Sequence, residues 1–197
     1  MKTPPRQLFI PHTSSEKGWG PMRSGSGAVP LGSPARTSPA KAMALQIGDP
    51  APDFTLPDEN GNPVRLSDLK GQRVVIYFYP KDDTPGCTKE ACNFRDRWDA
   101  FEKHGIRVLG ISKDGAASHG KFIDKYSLPF TLLTDPEPCP VATAYKSYGL
   151  KKFMGREYMG MMRHTFVVDP EGRLEKVYLK VKADAMADQI LEDLGIA

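Results

Sequence analysis

A strand, a short loop and a helix in immediate succession constrain the fold of this chain more than any other feature. Residues 73–79 (Arg-Val-Val-Ile-Tyr-Phe-Tyr) form an apolar run typical of a buried strand. Apolar side chains then recur three or four positions apart and predict a helix over residues 87–104, closed by Gly105. They are Ala91, Phe94, Trp98 and Phe101. The next apolar run, residues 107–112, predicts a strand parallel to the first, because a helix between two strands makes a crossover connection.

The remaining elements complete an α/β domain. Short alternating segments on either side of the turn sequence 57–63 predict a small N-terminal β-hairpin. Further strands are expected at residues 130–133, 163–169 and 174–181, and helices at 115–126, 140–148 and 184–194. Residues 151–162, rich in Met and Gly, are interpreted as a connection. This order predicts a three-layer α/β domain with a mixed central sheet, and it fits a thioredoxin-like fold with an added N-terminal hairpin.

Residues 1–42 differ in composition from the rest of the chain. They contain seven prolines, five glycines and six serines, with six Lys or Arg against one acidic residue. Such a segment cannot bury enough apolar surface to offset its ordering entropy, so it is predicted to be disordered. Three readings stay open: a transit peptide for an organelle such as the plastid, a solvated tail, or translation that begins at Met43. A secretory signal is not expected, because the N-terminal charge is not followed by the apolar run of at least about seven residues that a signal peptide contains.

Residues 43–197 form the predicted folded domain, and their composition argues against several functions. Of the 27 Lys or Arg and 24 Asp or Glu of the chain, 21 and 23 lie in this domain, which is therefore mildly acidic. A nucleic-acid partner would need a clustered basic face. The longest apolar run, Val74–Tyr79, is too short to span a membrane. Three cysteines in 197 residues do not make a disulfide-stapled scaffold and point to redox chemistry, metal binding or packing.

Cys87 stands at the start of the predicted helix, and we interpret it as a nucleophile. A thiol attacks as the thiolate, and free N–H groups at a helix N-terminus favour an anion there. A turn is expected to bring the hydroxyl of Thr84 to the sulfur, and Arg163 is the candidate cation from a distant segment. Pro80 and Pro85 restrict φ in the loop and remove two N–H donors, which predicts a rigid, partly dehydrated pocket.

Cys92 lies five residues after Cys87, and helix geometry limits what the pair can do. On an intact helix, residues five apart are separated by about 140° and a rise of ~7.5 Å, so their Cα atoms lie roughly 8–9 Å apart. A disulfide needs a Cα–Cα distance of about 4.4–6.8 Å. A bond between these cysteines therefore requires the first helical turns to unwind. This requirement matches a cycle in which Cys87 is oxidised to a sulfenic acid and Cys92 then condenses with it.

Four separated segments match one known pattern: Gly48–Phe54, Tyr77–Pro80, Thr84–Thr88 and Arg163–Phe166. Together they resemble the peroxiredoxins, specifically the Q-type or bacterioferritin-comigratory subgroup. The hallmark of this subgroup is a resolving cysteine five residues after the peroxidatic one. The resemblance extends from Ile47 to the C-terminus and leaves residues 1–42 without a counterpart.

The resemblance implies a thiol peroxidase that reduces hydrogen peroxide and organic hydroperoxides in antioxidant defence and redox homeostasis. Cys87 would be the peroxidatic residue and Cys92 the resolving one. Thr84 and Arg163 would orient the peroxide and stabilise charge, and Pro80 would shield the pocket. The resulting intramolecular disulfide would be reduced by thioredoxin or a similar dithiol, within a cytoplasmic monomer. No metal, haem or flavin is implied, and no nucleic-acid or membrane partner.

Other functions stay open at this point. A dithiol–disulfide oxidoreductase acting on protein disulfides would also use two cysteines, although its usual spacing is Cys-x-x-Cys. A non-catalytic binding or holdase protein would use its cysteines for packing. His104, His119 and His164 permit a zinc reading, but no Cys-x-x-Cys pair is present to anchor the metal. Cys139 matches no cysteine of the family and is expected to be a surface or packing thiol.

Overall fold

The computed structural model describes residues 44–153 and 155–196, and within them it contains nine strands and five α-helices. The strands are β1 (Thr55–Pro57), β2 (Pro63–Arg65), β3 (Val74–Phe78), β4 (Arg107–Ser112), β5 (Thr131–Thr134), β6 (Tyr148–Phe153), β7 (Arg156–Met161), β8 (His164–Val168) and β9 (Leu174–Tyr178). The helices are α1 (Pro85–Asp96), α2 (Trp98–Lys103), α3 (Ala116–Tyr126), α4 (Pro140–Ala144) and α5 (Met186–Asp193). The predictions for residues 1–42 lie outside the described residues.

Five strands form the central sheet in the order β5-β4-β3-β8-β9. Strands β3, β4 and β5 run parallel to one another, while β8 is antiparallel to both β3 and β9. The predicted mixed sheet is therefore confirmed. Strand β3 lies at its centre, and all five of its residues are buried, as expected for a strand covered on both faces. The N-terminal hairpin is also confirmed, because β1 and β2 pair as a separate two-stranded sheet.

The central sheet buries a different apolar cluster on each face. Val75 and Tyr77 of β3 belong to one cluster, and Val74, Ile76 and Phe78 belong to the other. Helices α1, α2, α3 and α5 complete the first cluster, whereas the β1–β2 hairpin and α4 contribute to the second. These clusters place helices on one side of the sheet and the hairpin with α4 on the other, so the predicted three-layer architecture is confirmed.

The single helix predicted over residues 87–104 is wrong in one respect, because it is divided into α1 and α2 at Arg97. The backbone of Arg97, with φ −109° and ψ 10°, lies outside the helical region. Phe101, beyond the break, still joins the same buried cluster as Phe94, and Trp98 packs against that cluster. The apolar spacing therefore runs through the interruption, and periodicity alone could not reveal it.

The short helix predicted from residue 140 is present as α4, but the predictions for its end and for residues 151–162 are wrong. The helix expected to continue to residue 148 ends at Ala144, and Gly149 lies inside a strand. Residues 151–162, interpreted as a connection, belong mostly to an antiparallel β6–β7 hairpin paired from Tyr148 with Met161 to Phe153 with Arg156. Most side chains of β7 are exposed, so the alternation of buried and exposed residues that marks a strand is absent. Within the described part of the chain, no helix is long and apolar enough to cross a membrane.

Candidate active site

Cys87 is the third residue of α1, at the helix end where backbone N–H groups have no helical acceptor. Thr84 is the N-cap, and Pro85 opens the helix, where the fixed φ of proline fits and its missing N–H costs nothing. Cys87 is only 2% exposed. Its sulfur therefore lies close to the positive end of the helix dipole, where negative charge is stabilised.

Arg163 reaches Cys87 because strand β8 is antiparallel to β3. The pairing of His164 with Phe78 puts the beginning of β8 beside the end of β3, which is where the loop to α1 starts. The Arg163 Nη2 atom donates a hydrogen bond to the Cys87 sulfur at 3.2 Å. A Cβ atom at Gly86 would lie 3.1 Å from the same nitrogen, so a glycine there allows the close approach of the guanidinium. The expected cation is thus in direct contact with the candidate nucleophile.

Glu90 is a third charged member of the site, and the sequence analysis missed it. Arg163 Nη1 donates to Glu90 Oε2, and the carboxyl group is fully buried. The other oxygen, Oε1, has no hydrogen-bond partner among the described residues. Burial raises the pKa of Glu90 to about 7, and the charge and hydrogen bond of Arg163 oppose that increase only in part. A spacing of three residues places Glu90 on the same helical face as Cys87, and this spacing was the available signal.

Replacing Glu90 with glutamine is expected to change how stability depends on pH. The Glu90 pKa rises from 4.5 to about 7 on folding, so the native protein binds more protons than the unfolded chain between these values. The stability that the protonated carboxyl provides is complete at low pH and is lost as pH rises to about 7. We expect the unfolding free energy of the parent to fall relative to Glu90→Gln over this range, by on the order of 1–3 kcal/mol.

Urea unfolding at intervals between pH 4 and pH 8 measures this difference. Glu102→Gln is the matched control, because Glu102 is an exposed residue of α2. A gap between parent and Glu90→Gln that stays constant over the whole range would contradict the assignment of a raised pKa to Glu90.

The loop before α1 holds the two other predicted site residues in different ways. The hydroxyl of Thr84 was expected to reach the Cys87 sulfur, but it donates instead to the carbonyl of Lys81 at 3.0 Å. The backbone carbonyl of Thr84 accepts from the N–H of Thr88 at 2.8 Å. Thr84 therefore fixes the turn into the helix. Pro80 lies two residues after the last residue of β3 and is half-buried at the start of the loop.

Cys92 is half-buried on the same intact helix as Cys87, and both thiols are free. The helix is held differently before and after it. Before Cys92, the Arg163 side chain donates hydrogen bonds to residues 86, 87 and 90 of the helix. After it, Asn93 accepts a hydrogen bond from the backbone of Ala187 at 2.7 Å and donates to Asp188 at 2.7 Å, which ties α1 to the first turn of α5. These two hydrogen bonds to α5 therefore lie beyond the second cysteine and not in the turns between the two.

Cys139, His104 and His164 form their side-chain hydrogen bonds with residues outside this group. Cys139 is fully buried and donates to the carbonyl of Asp135 at 3.5 Å. Burial, followed by the charges of Asp135 and Glu137, raises the pKa of Cys139 to about 11, so its thiol stays protonated at neutral pH. His104 is exposed and bonds to its own helix, whereas burial lowers the pKa of His164. No cluster of three metal-binding side chains occurs among the described residues.

The model of the AhpC/TSA family matches residues 47–177 of this chain. Peroxiredoxin Bcp from Bacillus subtilis is 48% identical over 156 residues, which cover 78% of this chain and 99% of the relative. Peroxiredoxin Bcp from Escherichia coli is 45% identical over 147 residues, covering 75% of this chain and 94% of that protein.

The comparison with solved structures agrees with the sequence comparisons. The bacterioferritin comigratory protein from Xanthomonas campestris superposes with a TM-score of 0.68 at 34% identity, covering 72% of this chain and 90% of that one. This likeness and the strand order of the central sheet confirm the predicted thioredoxin-like fold. The family match spans more than half of the chain, and the relatives are covered almost completely. The chain therefore belongs to the AhpC/TSA family, among the peroxiredoxins of the Bcp and Q type.

Proposed function

We propose that this chain is a thiol peroxidase that reduces hydrogen peroxide and organic hydroperoxides, with Cys87 as the nucleophile. The observation that carries this proposal is the placement of the Cys87 sulfur, which is buried in the first turn of α1 and 3.2 Å from the Arg163 guanidinium. A helix N-terminus and a guanidinium both favour an anionic sulfur. Both groups also lie where negative charge develops when a peroxide is attacked.

In the first step, the Cys87 thiolate attacks one oxygen of the peroxide and the O–O bond breaks. The sulfur is oxidised to a sulfenic acid, and the other oxygen leaves as water or an alcohol after taking up a proton. Arg163 stabilises the thiolate and the developing oxyanion. Thr84 orients the substrate by fixing the turn beside the sulfur, and Pro80 shields the pocket on the side of β3.

In the second step, the Cys92 thiol attacks the sulfenic sulfur, a disulfide forms and water is released. The helical spacing of the two cysteines requires α1 to open between them first. A thioredoxin-type dithiol then reduces the disulfide and is itself oxidised. Because one chain holds both cysteines, the cycle needs no second subunit, and we propose a monomer that works in a reducing compartment such as the cytoplasm.

The support for peroxide substrates comes from the relatives. The Xanthomonas campestris protein was studied for its alkyl peroxide reduction activity, and the Bacillus subtilis relative is named a peroxiredoxin. The alternative, reduction of protein disulfides, is disfavoured because its usual Cys-x-x-Cys spacing keeps the two sulfurs close without unwinding. Measured rates of hydrogen peroxide consumption and of insulin disulfide reduction by the same preparation would decide between these functions.

Replacing Cys92 with serine is expected to leave the first oxidation intact and to block recycling. After one equivalent of hydrogen peroxide, mass spectrometry of the parent should show a loss of ~2 Da and a peptide linked through Cys87 and Cys92. Cys92→Ser should instead gain ~16 Da as a sulfenic acid on Cys87. Steady-state turnover with thioredoxin should fall at least about tenfold, because the intramolecular disulfide cannot form.

Cys139→Ala is the matched control for this experiment, since its buried thiol lies outside the site and should not change the linkage. A Cys92→Ser variant that turns over with thioredoxin at the parent rate would show that Cys92 is not the resolving residue.

A further inference from the structure

The loop between β3 and α1 contains a buried carboxylate for which the proposed reaction has no direct use. Asp82 is only 6% exposed, and a buried charge is stable only when it is hydrogen-bonded. The hydroxyl of Tyr79 donates to Asp82 Oδ1 at 2.7 Å, and Nδ1 of His119 lies 2.9 Å from Oδ2. Desolvation alone would raise the pKa of Asp82, but the hydrogen bonds from His119 and Tyr79 outweigh it, so the pKa is lowered.

His119 belongs to α3 and is fully buried, although its helix looks polar in the sequence. Its Nε2 atom has no hydrogen-bond partner among the described residues. A proton on Nε2 would leave a buried N–H group unsatisfied, which costs free energy. The hydrogen-bond geometry therefore favours a proton on Nδ1, where it is donated to Asp82. The single donor of His119 is thus committed to the loop.

Further contacts tie the same loop to α3 and to the segment before it. Asp83, which has a left-handed φ of 52°, accepts hydrogen bonds from Lys125 Nζ and from the Tyr126 hydroxyl, each at 2.6 Å. The backbone N–H of Asp82 donates to the carboxylate of Asp114 at 2.8 Å. Asp82 and Asp83, the two residues immediately before the N-cap of α1, are therefore both hydrogen-bonded to α3. Asp82 is the buried residue of the two.

We propose that His119 is a positioning residue for peroxide reduction, because through Asp82 it fixes the loop that places Cys87 against Arg163. Cys87 follows this loop, whereas Arg163 comes from the start of β8, so their 3.2 Å contact depends on where the loop lies. A displacement of about 1 Å between reacting groups can cost roughly 10²-fold in rate. This inference rests on the proposed function, since it names a residue that places the proposed nucleophile.

Two substitutions at His119 distinguish a positioning role of its hydrogen bond from a role in packing alone. His119→Leu keeps much of the volume and removes the donor, whereas His119→Asn keeps a donor close to the place of Nδ1. In stopped-flow measurements on the full chain, His119→Leu should slow oxidation of Cys87 by hydrogen peroxide about 10- to 100-fold, and His119→Asn should stay within about threefold of the parent. Alkylation of Cys87 by iodoacetamide, which needs no bound peroxide, should change much less in both variants.

His104→Leu is the control, because that exposed histidine bonds only to the carbonyl of Ala100 and should leave both rates unchanged. A folded His119→Leu variant with the parent peroxide rate would overturn the proposal, and so would a His119→Asn variant as slow as His119→Leu. If His119→Leu does not fold, Asp82→Asn decides, with a slowed peroxide rate expected and the parent rate contradicting it. Failure of the parent protein itself to react with peroxide would count against the proposed function and not against the role of His119.

Discussion

Replacing Cys87 with serine is expected to lower peroxide turnover by at least about 10⁴-fold, the scale on which an enzyme loses activity with its nucleophile. Serine occupies nearly the same volume and can still accept the hydrogen bond from Arg163, so the fold should persist. Its hydroxyl does not form an anion at neutral pH, and its oxygen cannot take up a further oxygen atom as sulfur does on becoming a sulfenic acid. The substitution therefore removes the chemistry while leaving the pocket in place.

The measurement is hydrogen peroxide consumption with a thioredoxin system as reductant, together with circular dichroism to show that Cys87→Ser is folded. Cys139→Ala serves as the control, because its protonated, buried thiol should contribute nothing to turnover. A folded Cys87→Ser variant that keeps even one tenth of the parent activity would mean that a different group attacks the peroxide. It would also remove the basis for a role of Arg163 and Cys92.

The central part of the fold could be predicted because several local signals agree there. Strand β3 is an uninterrupted apolar run, and Ala91 and Phe94 give α1 a helical apolar spacing, although the helix begins at Pro85, two residues before the predicted start. Each of these signals depends on neighbours in the sequence. The β6–β7 hairpin could not be found in this way, because its backbone pairing leaves most side chains of β7 in solvent and therefore produces no alternating pattern.

The candidate site shows the same division between local and distant information. Cys87 and Cys92 could be proposed as reaction partners from their positions on one predicted helix, and Arg163 could be proposed as the cation with help from the family resemblance. The contacts of Glu90 and His119 depend on partners far along the chain, at Arg163 and at Asp82 respectively. A local sequence pattern does not indicate which distant residue will contact a helix. The side chains of Glu90 and His119 therefore look like ordinary members of a polar helical surface until the fold is known.

The proposed cycle requires one helix to be held in place for attack and to open for resolution. Arg163 contacts Gly86, Cys87 and Glu90, so one side chain holds most of the first two turns of α1. In that cycle, a sulfur that attacks as an anion becomes a neutral sulfenic acid, and a hydrogen bond from Arg163 to a neutral group is weaker than one to an anion. The first two turns of α1 would then be held less strongly by Arg163, while the hydrogen bonds of Asn93 still join the later part of the helix to α5.

Replacing Arg163 with alanine is expected to slow oxidation of Cys87 by about 10²- to 10³-fold, the usual cost of losing one group that stabilises developing charge. The loss should exceed that of a simple hydrogen bond, because Arg163 also neutralises Glu90, whose carboxyl lies on the same helical face as the sulfur. Arg163→Ala removes the charge and the hydrogen bond that oppose the rise of the Glu90 pKa, so in this variant the carboxyl ionises at a higher pH than in the parent, where its pKa is about 7. Once Glu90 is ionised in the variant, its carboxylate and the Cys87 sulfur lie on one helical face with no cation between them. The defect should therefore grow as pH rises above 7 and be smaller in the double variant Arg163→Ala, Glu90→Gln.

Stopped-flow oxidation by hydrogen peroxide at pH 6 and pH 8 measures these differences, with unfolding in urea as the check on folding. Arg163→Lys is the matched variant, since it keeps the charge but cannot contact the sulfur, the carboxylate and the Gly86 carbonyl with one planar group. It should recover only part of the lost rate. An Arg163→Ala variant that oxidises within about threefold of the parent at both pH values would show that the 3.2 Å contact contributes little to the reaction. The helix N-terminus would then have to stabilise the thiolate by itself.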